Sequence, residues 1–214
     1  MRVILIAAKE LSLAKTRLSS VMPDGERVAL AEAMYRDVLA AALGSRAAEM
    51  VAVVSSDRTL LELARGAGAM AIDEGYARGL NVAVAMATAT LAAHGATTQC
   101  TVLSDIPMIT AADMDAVFGA IENEPAVVLV PSRDFSGTNV IARSPAAVIP
   151  TRFGRQSLAK HLDDCRARAV RCEVLRLARP ALDLDLVNDL YEFVRTASTT
   201  HTLNQLSRLG IAHH

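Results

Sequence analysis

Short runs of β-branched and apolar residues recur along this chain, each followed by a longer stretch whose apolar residues fall three and four apart. Val3 to Ala7 reads as a buried strand, and the helix behind it runs from a cap at Asp24 through Leu30, Met34, Val38 and Leu39 to a stop at Gly44. Val51 to Val54 is a second strand, Asp57 caps a helix ending at Gly66, and Ala69 to Ile72 is a third strand. A small-residue helix over Asn81 to Ala93 leads to a strand over Thr101 to Leu103 that stops at Ser104-Asp105. Thr110 and Asp113 are spaced as a capping box for a helix to Ile121, and Val127 to Val130 is another strand. Past Pro131 the rhythm loosens into strands over Thr138 to Ala142 and Val170 to Leu175, a helix over Gln156 to Ala167, and a mostly helical tail from Val187. Strands separated by helices of this length need crossover connections, which makes a mostly parallel sheet covered on both faces. The expected architecture is α/β and three-layered, with residues 1–214 forming one domain.

Composition narrows the function. With 52% hydrophobic and 21% charged residues in 214, the chain has the material for a core and is not a disordered polymer. No segment approaches ~18 uninterrupted apolar residues, and the opening apolar run breaks at Lys9-Glu10, so neither a membrane span nor a secretory leader is expected. Cys100, Cys165 and Cys172 are an odd set without C-x-x-C spacing, pointing to a reducing cytoplasm rather than to disulfides or zinc. Twenty-two Lys and Arg against 23 Asp and Glu give no global basic field, and aromatics at 3% are too few for a base-stacking platform, so nucleic acid is not the expected partner. An anion must therefore be bound by a local cluster.

One motif misleads. Gly66-Ala67-Gly68-Ala69-Met70-Ala71 matches the dinucleotide fingerprint, but a helix precedes it and a strand follows, the reverse of what pyrophosphate binding needs. Its glycines read as a helix stop. P-loop, serine-hydrolase and zincin signatures are missing, and the histidines are scattered, with His201, His213 and His214 in the tail. Three features remain. Lys9, Lys15 and Arg17 crowd the loop after the first strand, where open α/β sheets bind ligands, and suit a triphosphate, although taken alone they read more readily as a solvated basic loop. Asp105, just past a buried strand and before Pro107, can hold a hard cation or be an ordinary loop residue. Asp183 and Asp185 alternate with Leu182, Leu184 and Leu186; in an extended segment both carboxylates face one site, whereas the competing reading is a loop leading into the last helices. Together, carboxylates for Mg²⁺ and cations for phosphates are the parts of phosphoryl or nucleotidyl transfer.

At this point the chain resembles the CofC (FbiD) family of guanylyltransferases of coenzyme F-420 biosynthesis. The resemblance runs nearly end to end: Lys9 with Ala14-Lys15-Thr16-Arg17-Leu18, then Gly79-Leu80-Asn81, Asp105-Ile106-Pro107, Gly137-Thr138-Asn139, Phe153-Gly154-Arg155-Gln156-Ser157 with His161, and Asp183-Leu184-Asp185. It implies a Rossmann-like GT-A nucleotidyltransferase fold. It also implies Mg²⁺-dependent transfer of GMP from GTP to a small phosphorylated carboxylic acid (2-phospho-L-lactate, phosphoenolpyruvate or 3-phosphoglycerate), with release of pyrophosphate. The product would pass to the next transferase of the pathway, and a homodimer is compatible with the family. By motif match, Asp105, Asp183 and Asp185 would ligate metal, and Lys9, Lys15 and Arg17 would hold the triphosphate, with Lys15 and Asp105 catalytic. Gly79 and Asn81 would line the guanosine site, while Thr138, Gly154 and Ser157 would receive the acid. The Gly154 to Ser157 segment opens a helix whose free N–H groups favour an anion. His161, one turn on, either packs against the helix side or contacts ligand.

The chain departs from the family at Ser104 and Met108, where leucine and proline are usual, and at Ser136, where a second glycine is common; both sites bear on the acid pocket. Two other readings stay open. A molybdenum-cofactor or sugar-phosphate nucleotidyltransferase usually carries a glycine-rich loop after the first strand, and Ala7-Ala8-Lys9-Glu10 has none. A non-catalytic nucleotide-binding subunit would have no need of clustered carboxylates.

Overall fold

The computed structural model describes residues 1–196 and 199–211; His213 and His214 lie outside the described residues. Seven strands form one sheet: β1 (Arg2–Ala7), β2 (Met50–Ser55), β3 (Met70–Asp73), β4 (Thr98–Leu103), β5 (Ala126–Pro131), β6 (Thr138–Ser144) and β7 (Arg171–Val174), in the order β3-β2-β1-β4-β6-β5-β7. The sheet is mixed. β6 runs antiparallel to both neighbours, β4 and β5, while the pairs β1–β2, β1–β4, β2–β3 and β5–β7 are parallel. The central strands carry apolar residues toward both faces, as a sheet buried on two sides requires.

Helices cover both faces. Against one face lie α1 (Asp24–Leu43), α2 (Arg58–Gly66), α4 (Ala111–Gly119), α6 (Val187–Thr196) and α7 (His201–Arg208). Against the other lie α3 (Leu80–Ala93) and α5 (Ser157–Ala167). Ile4 and Ile6 point into the first layer and Val3 and Leu5 into the second, the period-two alternation of a strand between two cores.

Several boundaries move for identifiable reasons. β4 begins at Thr98 rather than Thr101 because its polar start is buried and paired: Thr98 with Ser144, and Gln99 with Thr88 and Thr101. β6 likewise extends past Ala142 to include buried Arg143 and Ser144. Gln156 adopts a left-handed conformation (φ 54°) and stands outside α5, and α4 stops at Gly119, short of Ile121. The Thr110–Asp113 capping box forms as expected. α2 ends at Gly66, Gly68 turns the chain at φ 88°, and β3 begins at Met70, so the fingerprint-like glycines are a helix stop. Among the described residues, no helix is long and apolar enough to cross a membrane.

Candidate active site

The loop after β1 is folded as two single 3-10 turns, Leu11–Leu13 and Thr16–Leu18, and two side chains from elsewhere hold it. Asp57 caps α2 by accepting the Thr59 and Leu60 N–H groups, and its other oxygen accepts the Leu11 N–H at 2.9 Å. Arg27 of α1 donates to the Ala14 carbonyl at 2.9 Å. Between the turns Lys15 takes φ 53°, a left-handed conformation few residues other than glycine adopt. Its ammonium, with the side chain only 5% exposed, lies 2.9 Å from Asp105 Oδ2 and 2.7 Å from Asp185 Oδ1.

Asp105 leaves the end of β4, anchored by buried Ile106. Its backbone carbonyl accepts the Leu184 N–H at 3.1 Å, which aligns the acidic segment with the strand end. Leu182 and Leu184 are buried, while Asp183 and Asp185 alternate with them toward the cleft side and are half-buried. The segment is also an entry to α6: Asp189 accepts the N–H groups of Asp185 and Leu186 at 3.1 and 2.7 Å. The segment thus leads into a helix, as the competing reading expects, while Asp185 also lines the cleft.

Charge is unevenly balanced here. Burial alone would lower the Lys15 pKa, but the attraction of Asp105 and Asp185 wins and raises it. For Asp185, burial opposes ionisation, yet Lys15, with help from Arg17 and Lys9, holds its carboxyl below the usual range. Asp183 is pushed the other way, upward, first by burial and then by repulsion from Asp105, with a smaller push from Asp185. Asp105 Oδ1 is buried without a hydrogen-bond partner. The cleft above these groups encloses about 290 Å³ and is lined by Lys9, Lys15, Arg17, Ser104, Asp105 and Asp185 among others. Arg17, exposed at the rim, approaches Asp185 Oδ2 at 3.5 Å.

Hard oxygen donors, an orphaned carboxylate oxygen and a carboxyl raised by burial and by its acidic neighbour fit Mg²⁺ in chemistry. Among the described residues, no three His, Cys, Asp or Glu side chains are gathered closely enough to cage an ion. The Lys15 ammonium occupies the position between Asp105 and Asp185 instead. Mg²⁺ is commonly bound through one or two carboxylates and substrate phosphates, without a finished protein cage.

Residues 1–214 match the family model described as guanylyl transferase CofC like. The chain belongs to that family. It is 36% identical over 199 residues to a 3-phospho-D-glycerate guanylyltransferase of Phenylobacterium zucineum, covering 92% of this chain and 91% of that one. It is 34% identical over 187 residues to a phosphoenolpyruvate guanylyltransferase of Sphaerobacter thermophilus, covering 87% and 89%. A solved nucleotide-diphospho-sugar transferase from Desulfovibrio desulfuricans shares the fold, with a TM-score of 0.79 at 19% identity over 99% of this chain and 96% of that one.

The family motifs fall into two groups in space. Lys9, Lys15, Arg17 and Asp105 line the cleft with Asp185; Asp183 adjoins it, and Gly79, at φ 98° before α3, lines a neighbouring recess. Thr138, Gly154 and Ser157 gather instead around His161, which is fully buried. His161 Nε2 accepts the Arg152 N–H at 2.8 Å, so the neutral ring carries its proton on Nδ1 and donates to Thr138 Oγ1 at 3.1 Å. Burial, with a further push from Arg143, lowers its pKa to about 4. Gly154, at φ 116°, makes the turn before α5. A Cβ on Gly137 would stand 2.9 Å from Ser132 Oγ, so this glycine is required by close approach.

Asn81 stands in the first turn of α3, two residues past Gly79. Both ends of its carboxamide are engaged with the Phe153 backbone, at 3.0 and 2.8 Å, tying α3 to the loop that carries Gly154. The two groups meet at Asn139, which donates to the Pro180 carbonyl at 2.9 Å and approaches Asp183 Oδ1 at 3.5 Å. Sequence reasoning missed the supports of the acidic segment: Asp189, and Arg179, whose fork on Asp113 spans 2.9 and 3.0 Å. No local pattern marks pairs so distant in the chain, although Asp189 in the first turn of a helix is a recognisable capping signal.

Proposed function

We propose that this chain transfers GMP from GTP to the phosphate of a small phosphorylated carboxylic acid, with release of pyrophosphate, in coenzyme F-420 biosynthesis. An oxygen of the acid's phosphate attacks the α-phosphorus of GTP, the bond from that phosphorus to the β-phosphate oxygen breaks, and a new diphosphate linkage remains. Such chemistry needs reactants held in line and charge neutralised rather than a protein nucleophile. Lys9, Lys15 and Arg17 hold the triphosphate, and Lys15 exchanges its carboxylate partners for phosphate oxygens. Asp105, Asp183 and Asp185 would hold Mg²⁺, which when bound offsets the negative charge of the phosphates. Thr138, Gly154 and Ser157 receive the acid, with the Thr138 hydroxyl proton free to donate because His161 donates to its oxygen. The product would pass to a following transferase, in the cytoplasm, where the three free cysteines stay reduced.

The observation that carries this reading is the convergence of Lys15, Asp105 and Asp185, from three distant segments, on the floor of one cleft. The experiment is pyrophosphate release from each nucleoside triphosphate with Mg²⁺ and each of 3-phosphoglycerate, phosphoenolpyruvate and 2-phospho-L-lactate, coupled to the next enzyme. Turnover of GTP with at least one acid, abolished by EDTA, is expected. Turnover with CTP and not GTP, or none at all, would defeat the proposal.

A further inference from the structure

Of the buried side-chain atoms without a hydrogen-bond partner among the described residues, two are carboxylate oxygens: Asp105 Oδ1 and Glu74 Oε2. The first belongs to the cleft floor; the second has not been accounted for. Glu74 follows β3, and its backbone N–H continues the sheet edge by donating to the Ser55 carbonyl at 3.1 Å. Its side chain lies in a recess of about 190 Å³ whose other walls include Ala7, Val54, Gly79, Leu80 and Ala83. Glu74 is only 9% exposed and has no ion-pair or side-chain hydrogen-bond partner among the described residues. An unpaired buried carboxylate is costly, and such groups persist where a ligand supplies the missing donors.

The recess adjoins the phosphate cleft, with Ala7, Lys9, Leu13 and Leu80 bordering both. It therefore lies where the far end of a nucleotide would reach when its phosphates rest on Lys15. Its apolar walls suit the faces of a flat ring, and of the two carboxylates that border it Glu10 is engaged by the Ser12 hydroxyl, which leaves Glu74 for a ring edge with two neighbouring donors. Guanine offers N1–H beside its 2-amino group, a pair that a carboxylate can accept in parallel. Adenine would set the lone pair of N1 against the carboxylate, cytosine that of N3, and uracil a carbonyl on either side of its one N–H. We propose that Glu74 reads the guanine base by accepting N1–H and the 2-amino group, and so sets the nucleotide specificity of this chain. The assignment rests on the guanylyl-transfer reading above.

The test compares kcat/KM for GTP and for ITP, which lacks the 2-amino group, in the wild-type protein and in Glu74→Gln. Loss of one charge-assisted hydrogen bond should leave wild-type ITP turnover about 10- to 100-fold below GTP. Glu74→Gln should lower GTP turnover by about 100-fold and ITP turnover less, bringing the two within about threefold. A folded variant, with its melting temperature within a few degrees of wild type, that keeps the wild-type preference would overturn the assignment. Should the variant not fold, the native enzyme decides: equal kcat/KM for GTP, ITP and 1-methyl-GTP overturns it, and a graded loss supports it. Wild-type protein that turns over no GTP defeats the underlying reading and this assignment with it.

Discussion

The acidic cleft and the histidine cluster adjoin each other beyond the same strand ends, yet they are held together by opposite means. In the cleft, one buried ammonium bridges carboxylates that lie 90 and 170 residues away in sequence, and an oxygen of Asp105 is left over. The direct partners of His161 are neutral, with both ring nitrogens engaged and Asn81 clamping the Phe153 backbone from both sides, and the buried charge nearby, Arg143, is held by the Ile149 carbonyl and the Thr88 hydroxyl. A satisfied neutral network has its shape before any ligand arrives, whereas a buried ionic cluster with surplus negative charge is completed only when more positive charge enters. The histidine cluster presents a finished shape, the cleft an uncompensated charge.

Substitutions can break that contrast, and the largest effect belongs to the charged side. Asp105→Asn should lower kcat/KM for GTP by about 10³-fold, as removal of a group that organises transition-state charge does. Its melting temperature should move by only a few degrees, because Asp185 still pairs with Lys15 and the repulsion on Asp183 is relieved. Thermal denaturation beside steady-state kinetics checks both halves; a large stability loss with modest kinetics would make Asp105 a structural residue. Lys15→Met should cost about 3–5 kcal/mol of stability by stranding two carboxylates. If these carboxylates take Mg²⁺, added Mg²⁺ should raise the melting temperature of this variant more than that of the wild type. An equal response in both proteins would remove the metal from the proposal.

The neutral side should respond to acid instead. With its folded pKa lowered from 6.5 to about 4, His161 contributes stability that is complete above pH 6.5 and is lost as pH falls toward 4. The unfolded state binds the proton first, so the loss should reach about 3 kcal/mol. His161→Gln should flatten that part of the stability profile, as chemical denaturation between pH 7 and pH 4 would reveal. The smallest effect is expected of Asn81→Ala, about 1–3 kcal/mol from two lost hydrogen bonds to the Phe153 backbone. Its KM for the acid should rise while that for GTP stays near wild type; the reverse pattern would return Asn81 to the nucleotide.

The contrast also explains what could be read without coordinates. β1, β2 and β5 were legible because their apolar runs are nearly uninterrupted, and Thr110 and Asp57 because capping is local. β4 was truncated and β6 shortened where buried polar side chains hide inside the sheet. That β6 is reversed left no trace in its composition, since strand direction is decided by connections and partners rather than by residue type. In the site, the carboxylates stood out by position, just past a strand and alternating with leucines. The role of Lys15 as their internal counter-ion did not, for nothing near it in sequence announces an Asp at such a distance. Glu74 was missed because an acid after a short edge strand looks like any solvated loop residue until its burial is known.

The reversal of β6 has a consequence for how such proteins can change. A strand laid against the grain brings its first residues, Thr138 and Asn139, to the rim where its neighbours present their last. Strand exits and one strand entrance thereby share a single rim. The turn feeding that entrance has room to vary at Ser136, which is exposed, whereas Gly137, pressed against Ser132, holds its place.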